Sequence, residues 1–356
     1  MASKLVTVVI PCRDEETYIE ACIRGVQAQV WPHDAIEILV ADGMSVDATR
    51  EILARLAAED PRIHLLDNAA HIQAAGLNEC IRVAKGDVIV RMDVHADYAH
   101  DFVERCVAAL DRTGADNVGG AARPRASTFF QRCVAAALQS PLGIGGSQFR
   151  KSDAEGFVET VWPGAFRRGV FDRVGLFDEG AVTNEDAELN QRILEAGGRI
   201  YMSRDIVAHY VPRGSMRTLA RQYFKYGKGR ARTLLKHGRL PSLRPAIPFL
   251  GLLGEALILI AAPWEIGGLS ITAYVLATGA EAVRVGRAEG VVAIPVVWAI
   301  FPVLHASHGA GFAAGLVRYA LRPDWASSSL RPPSAGVKDG QADGAHEALL
   351  SDQVVT

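Results

Sequence analysis

No two cysteines in this chain have the spacing of a zinc site or a redox motif. Cys12, Cys22, Cys80, Cys106 and Cys133 stand apart and are odd in number. They offer neither a disulfide framework nor a thiolate metal centre, and a reducing cytosolic setting fits them. Net charge is also lacking: a formal −2 over 356 residues gives no overall electrostatic case for nucleic acid. The N-terminus has no basic region, long apolar stretch or cleavage site, so no signal peptide is expected. No Ser/His/Asp or Cys/His set presents a nucleophile, and there is no internal repeat. What the chain does have is apolar residues, nearly half of the total, enough for one large core or two domains.

The first half alternates strand and helix. Apolar or β-branched runs predict strands at Leu5 to Ile10, Ile36 to Ala41, Ile63 to Leu66 and Val88 to Met92. Helical spacing predicts helices over Glu16 to Val30, after Asp47 as N-cap, and over Gln73 to Ala84. That order predicts a mostly parallel sheet with right-handed crossovers, whose ligands gather at the carboxyl ends of the strands. Three of those ends are polar: Pro11-Cys12-Arg13-Asp14-Glu15-Glu16, Asp42-Gly43-Met44-Ser45-Val46-Asp47, and Asp93-Val94-His95. Each taken alone also reads as ordinary turn and capping chemistry. In the third, Asp93 and His95 are two apart in an extended exit, project the same way, and together suit one divalent cation. Aspartate suits Mg²⁺ or Mn²⁺, and the imidazole tilts the choice toward Mn²⁺.

Four segments, VVIPCRDEETYI, ADGMSVDAT, GDVIVRMDVHADY and TNEDAELNQRI, in this order resemble glycosyltransferase family 2 with the GT-A nucleotide-sugar fold. The resemblance covers about Leu5 to Tyr226. PCRDEE, RMDVHADY and QYFKYGKGRAR further resemble the ExoA-type transferases of succinoglycan biosynthesis. It implies that Pro11, Arg13, Glu15, Asp42 and Asp93 bind the donor nucleotide. It further implies that Asp93 and His95 hold Mn²⁺ or Mg²⁺ with the diphosphate, and that Asp186 is the catalytic base. Trp162, Gly164 and Glu185 fall on the acceptor side, and Trp162 offers a flat face for a sugar ring. The chain departs from the family pattern in places: Asp14 stands where Asn is usual, Ala41 replaces the first acid of a pair, and His95 replaces an Asp. A shifted frame would use Asp97 as the second ligand. Glu185 and Asp186 open a helix over Glu185 to Ala196, capped by Thr183 or Asn184. The helix dipole there favours an ionised carboxylate able to take a proton from an attacking hydroxyl. Val158 to Trp162 reads as strand.

Between Arg213 and Arg244 there are ten Lys or Arg and no acid. Arg217, Arg221, Lys225, Lys228, Arg232 and Lys236 fall at helical spacing and predict one basic stripe, facing lipid phosphates or the donor diphosphate. Arg221 and Lys225 are the candidates for that contact. Ala246 to Ala262, Ile266 to Ala280 and Gly290 to Val317 follow as candidate membrane spans, the last interrupted by Pro295 and Pro302. The expected organisation is a cytosolic catalytic domain (1–212), a basic interfacial helix (213–244), membrane-embedded helices (245–322) and a disordered tail (323–356).

The resulting expectation is a multi-pass enzyme of the cell membrane. It would be an inverting, metal-dependent hexosyltransferase moving sugar from a UDP-sugar, glucose-like, to a lipid-linked or membrane-proximal glycan. Its partners would be that acceptor, membrane lipids and other polysaccharide assembly proteins, with no nucleic acid. Two further readings stay open: a polyprenyl-phosphate sugar synthase, and a non-catalytic scaffold of a polysaccharide assembly complex. A nucleotidyltransferase would want a Gly-rich basic phosphate loop, and PCRDEE is acidic instead.

Overall fold

The computed structural model describes residues 4–144 and 154–325; most of the expected tail lies outside them. In chain order the elements are β1 (Val6–Cys12), α1 (Ile19–Gln27), β2 (Ile36–Asp42), α2 (Thr49–Glu59), β3 (Ile63–Asp67), α3 (Gln73–Val83) and β4 (Val88–Arg91). Then come β5 (Ala96–Tyr98), α4 (Phe102–Thr113), β6 (Asn117–Pro124), α5 (Phe129–Gln139), α6 (Pro141–Ile144), β7 (Gly156–Phe157), β8 (Ala165–Arg167) and α7 (Gly169–Val174). The last are α8 (Glu185–Glu195), β9 (Ile200–Tyr210), α9 (Met216–His237), α10 (Ile247–Ala261), α11 (Trp264–Gly286) and α12 (Ala293–Leu321).

One sheet runs β3-β2-β1-β4-β8-β6-β9-β5, with β7 on β9. The first four strands pair in parallel, as the strand–helix alternation predicts. Past β4 the sheet is mixed, because β8 enters antiparallel between β4 and β6. Side chains alternate across it. Val6, Val8 and Ile10 face one apolar layer, with Ile19, Ile23 and Phe102. Val9, Leu39 and Ile89 face the other, with Leu77, Phe166 and Leu189. In register, Cys12 lies beside Asp42 and Asp42 beside Asp67, so the polar strand ends collect on one edge.

The expected strand over Val158 to Trp162 does not form. That segment turns between β7 and β8, and its Trp162 and Thr160 side chains bond Asp93 and Asn190 instead of a ladder. Asn184 does sit at the start of α8, but its side chain caps nothing. It donates to the Tyr226 carbonyl on α9 (3.0 Å), and Thr183 Oγ1 to the Lys225 carbonyl (3.2 Å).

The basic stripe is split. Arg217, Arg221 and Lys225 are exposed, while Arg232 and Lys236 are drawn inward. Asp178, fully buried, accepts from Arg232 (2.7 Å) and Lys236 (2.5 Å). Lys236 also reaches Glu188 (2.8 Å), which takes Arg192 (2.7 Å) and His237 (3.0 Å). Two buried acids on the catalytic side thus consume the end of the stripe, because a buried carboxylate needs a counter-charge. On its other side α9 packs backbone to backbone on α12: a Cβ at Gly227 would lie 2.0 Å from the His308 carbonyl oxygen, and one at Gly311 2.0 Å from that of Phe224. Three segments, Arg244–Ala261, Trp264–Glu289 and Ala293–Leu321, are long and apolar enough to cross a membrane. The outer faces of α10 and α11 expose Leu250, Leu257, Ile260, Leu269 and Leu276.

Removing one acid of the buried network leaves cations without a partner. Asp178→Ala should lower the thermal midpoint of the detergent-solubilised chain by on the order of 10 °C, the consequence of about 3–5 kcal/mol lost. Glu20→Ala, which removes a surface partner of Arg24 and Arg55, should leave the midpoint within about 2 °C. Equal shifts would show that the network does not hold α9 to the sheet.

Candidate active site

Two loops at the ends of β1 and β2 are laced together before any substrate arrives. Asp14 N–H donates to Ser45 Oγ (2.8 Å), and Val46 N–H to Asp14 Oδ1 (2.9 Å). Glu15 N–H donates to Thr49 Oγ1 (2.7 Å), Glu16 N–H to Asp47 Oδ2 (3.1 Å) and Ala48 N–H to Glu16 Oε2 (3.1 Å). Asp14 and Met44 adopt left-handed backbone to make this fit. Ala48, not Asp47, is the N-cap of α2; Asp47, one residue earlier, still accepts from the Thr49 N–H (3.0 Å). Asp42 is buried, and its carboxylate is engaged by Ser45 (3.1 Å from the amide) and Arg50 (2.7 Å). Gly43, not Asp42, is on the cavity wall, together with Pro11, Arg13 and Glu15.

The centre of the site is Arg91, the last residue of β4, 2% exposed. It forks onto Asp93 (Nε to Oδ1 2.8 Å, Nη2 to Oδ2 3.1 Å). Its Nη1 reaches across to α8, donating to Glu185 Oε1 (3.0 Å) and Asp186 Oδ1 (2.6 Å). A charged residue inside an apolar strand, VIVRMD, was the available signal, since buried arginines are almost always paired; the motif reading passed over it. Burial opposes the charge on Arg91, but Asp186, Asp93 and Glu185 outweigh it and hold the guanidinium protonated.

One cation against three acids leaves an excess of negative charge. Burial raises the Asp186 carboxyl to about 7, with Glu185 and Asp93 adding to the rise and Arg91 opposing it. Asp93 also accepts from Trp162 Nε1 (3.0 Å), and its amide donates to Tyr98 Oη (2.6 Å). Trp162 therefore has its ring plane set by Asp93 and stands on the cavity wall. Gly164 is buried, and its carbonyl accepts from the Arg91 amide (3.1 Å). His95 is exposed, with Nε2 2.8 Å from Glu15 Oε1 and its ring edge-on to Tyr18. That bond to Glu15 raises the imidazole pKa against the cost of burial. Asp97 pairs with Arg125.

Among the described residues no group of three or more His, Cys, Asp or Glu forms a closed metal cage. A hard divalent cation in such a site keeps waters and substrate phosphate oxygens and needs only one or two protein ligands. Asp93 and His95 are donors of that kind, and the net negative array favours a cation there; Asp93 already accepts from Arg91, Trp162 and Gln73, the last at 3.4 Å, so a cation would take the place of one of these bonds.

Asp93, Trp162, Glu185 and Asp186 open into one cavity of about 1980 Å³. It runs from Pro11, Arg13 and His95 at the strand ends to Tyr226, Arg230 and Leu252 among the C-terminal helices. Arg221 and Lys225 are outside its wall.

Residues 7–175 match the family model "Glycosyl transferase family 2". The succinoglycan biosynthesis protein ExoA of Rhizobium meliloti is 41% identical over 243 residues, covering 68% of this chain and 73% of that protein. A dolichyl N-acetyl-α-D-glucosaminyl phosphate 3-β-D-2,3-diacetamido-2,3-dideoxy-β-D-glucuronosyltransferase of Methanococcus voltae is 26% identical over 324 residues, 88% of this chain and 97% of its own. Among solved structures, the mannosyltransferase PcManGT from Pyrobaculum calidifontis, in complex with GDP-Man and Mn²⁺, superposes with a TM-score of 0.62 at 21% identity. It covers 89% of this chain and 88% of its own, a likeness of fold. The GT-A architecture, the ordered motifs and the identity to ExoA agree: this chain belongs to glycosyltransferase family 2 and is a glycosyltransferase.

Proposed function

We propose that the chain is an inverting transferase that moves a sugar from a UDP-sugar to a lipid-linked glycan at the cell membrane, in exopolysaccharide assembly. The observation that carries this reading is the Arg91 array, in which one buried guanidinium holds a donor-side carboxylate, Asp93, and an acceptor-side carboxylate, Asp186. Asp186 accepts the proton of the acceptor hydroxyl. The hydroxyl oxygen bonds to the anomeric carbon as the bond from that carbon to the diphosphate oxygen breaks. Attack opposite the leaving group inverts the centre and turns an α-linked donor into a β-linked product. A carboxyl poised near neutral pH is a better base for this step than an ordinary aspartate. Glu185 shares Nη1 of Arg91 and keeps Asp186 oriented. Trp162, fixed by Asp93, presents its face to the sugar.

Asp93 and His95 would hold Mn²⁺ or Mg²⁺, which when bound neutralises the charge of the departing nucleoside diphosphate. PcManGT binds a nucleotide sugar together with Mn²⁺, and the M. voltae relative is named for a lipid-phosphate-linked sugar acceptor and a β product; both support this reading. So do α10 to α12, which we place across the membrane with the catalytic domain on the cytosolic side.

Asp186→Asn should reduce transfer by about 10²–10⁴-fold while UDP affinity stays within about threefold. The assay is radiolabel passing from a panel of UDP-sugars into a lipid-linked saccharide extract. Retained turnover in this variant would remove Asp186 as the base. In the native chain, kcat/KM should fall as pH drops through about 7, because Asp186 must be ionised in the free enzyme. An acid limb near pH 4 would mean an unperturbed carboxylate. Chelation should abolish transfer and Mn²⁺ restore it, but in Asp93→Asn added Mn²⁺ should restore little.

A further inference from the structure

Arg230 carries a charge that the transfer chemistry does not use. Thr218, Gln222, Tyr226 and Arg230, at intervals of four along α9, line the cavity. The first three lie one position beyond Arg217, Arg221 and Lys225 of the exposed series, or about 100° further round the helix, and Arg230 continues their row. Arg230 is half-buried and has no ion pair or hydrogen bond among the described residues. Glu159, the acid whose field reaches it, is already held by Arg244 and by Ser242 Oγ (3.1 Å). Burial pushes the Arg230 pKa down to about 10. A desolvated cation without a counter-ion is costly unless an anion arrives.

His308 of α12 lies within electrostatic reach of Arg230 and on the same cavity wall. Its Nδ1 is buried with no hydrogen-bond partner among the described residues. His305, one turn earlier, differs: Tyr274 Oη (2.8 Å) and the Leu142 carbonyl (2.7 Å) occupy both its nitrogens. Beyond Arg230 and His308 the wall carries Pro248, Leu252, Ile271 and Leu304, and its acid there, Glu255, accepts from Ser270 Oγ (2.9 Å). Those residues belong to the helices whose outer faces are apolar enough for a membrane. The cavity, about 1980 Å³, is also roughly twice the upper end for a single small-ligand pocket, about 1,000 Å³. A sugar nucleotide at the Asp93 end leaves room for a second ligand, anionic near Arg230 and apolar past it.

We propose that Arg230, with His308 Nδ1, binds the phosphate or diphosphate head of the lipid that carries the acceptor, its hydrocarbon running along the wall formed by α10, α11 and α12. The proposal rests on the transfer reading above and adds the residues and the chemistry of the acceptor's anchor. Bound there, the carrier would hold the acceptor hydroxyl on the Asp186 side of the cavity.

The test uses the full chain in dodecyl maltoside, titrated calorimetrically with farnesyl diphosphate as a short isoprenoid probe. Farnesol, inorganic pyrophosphate and UDP serve as comparisons. Farnesyl diphosphate should bind at least about tenfold tighter than pyrophosphate or farnesol, and saturating UDP should not displace it. Arg230→Gln should weaken it about tenfold or more and His308→Ala about threefold, while Arg230→Lys keeps most of the affinity and Arg217→Gln all of it. UDP affinity, unchanged in every variant, certifies folding and reports separately on the donor site; its absence in the native chain would undo the transfer reading instead. The proposal is overturned if Arg230→Gln binds farnesyl diphosphate like the native chain. It is equally overturned if pyrophosphate binds as tightly, which would indicate a free-anion site. Displacement by UDP would give Arg230 to the donor's diphosphate and overturn it as well.

Discussion

A single buried guanidinium holds this active site together. Arg91 leaves the end of β4 and binds carboxylates from two parts of the chain: Asp93, two residues on, and Glu185 and Asp186, at the start of α8. The bonds do two jobs at once. They fix the distance between Asp93 and the two acids of α8, and they relieve part of the acids' repulsion. Burial, with Glu185 and Asp93 adding to it, outweighs the relief from Arg91, so Asp186 keeps its proton to about neutral pH. Positioning and basicity are thus consequences of one arrangement.

The same logic of buried charge recurs at the junction with the apolar helices. Asp178 and Glu188 draw Arg232 and Lys236 out of the basic stripe and lock α9 onto the catalytic side. Glycines on α9 and α12 let the two helices touch along their backbones. α9 is therefore shared between the sheet and the apolar helices, and α8 starts on its carbonyls through Thr183 and Asn184. The helix that bears Asp186 is built on the helix that meets α12, so the cavity is continuous from the strand ends to the apolar wall.

Much of this was legible in the residues. The four parallel strands and their helices follow from apolar period and turn chemistry, with ends misplaced by up to three residues, as at α1. The family, the apolar helices and the polar strand ends also follow. What pattern could not supply was partnership. Whether Asp42 faces a ligand or Arg50, whether Trp162 lies in a strand or turns to Asp93, and whether Arg232 is a surface cation are decided by residues distant in sequence. The basic stripe shows it most clearly: helical spacing correctly puts Arg217 to Lys236 on one helix, but only the fold reveals two buried acids waiting for its last turns. Arg91 was missed because motif reading looks to the acid after a strand, while the deciding side chain is the last residue of the strand itself, two before Asp93.

The most direct test of this account is the pH dependence of kcat/KM in Arg91→Gln against the native chain, under saturating cation. The account predicts a much slower enzyme whose acid limb moves upward from about 7, since Asp186 has lost the guanidinium that lowers its pKa. An acid limb that stays where the native one lies, or moves down, would contradict it, because Arg91 would then not be what sets the base.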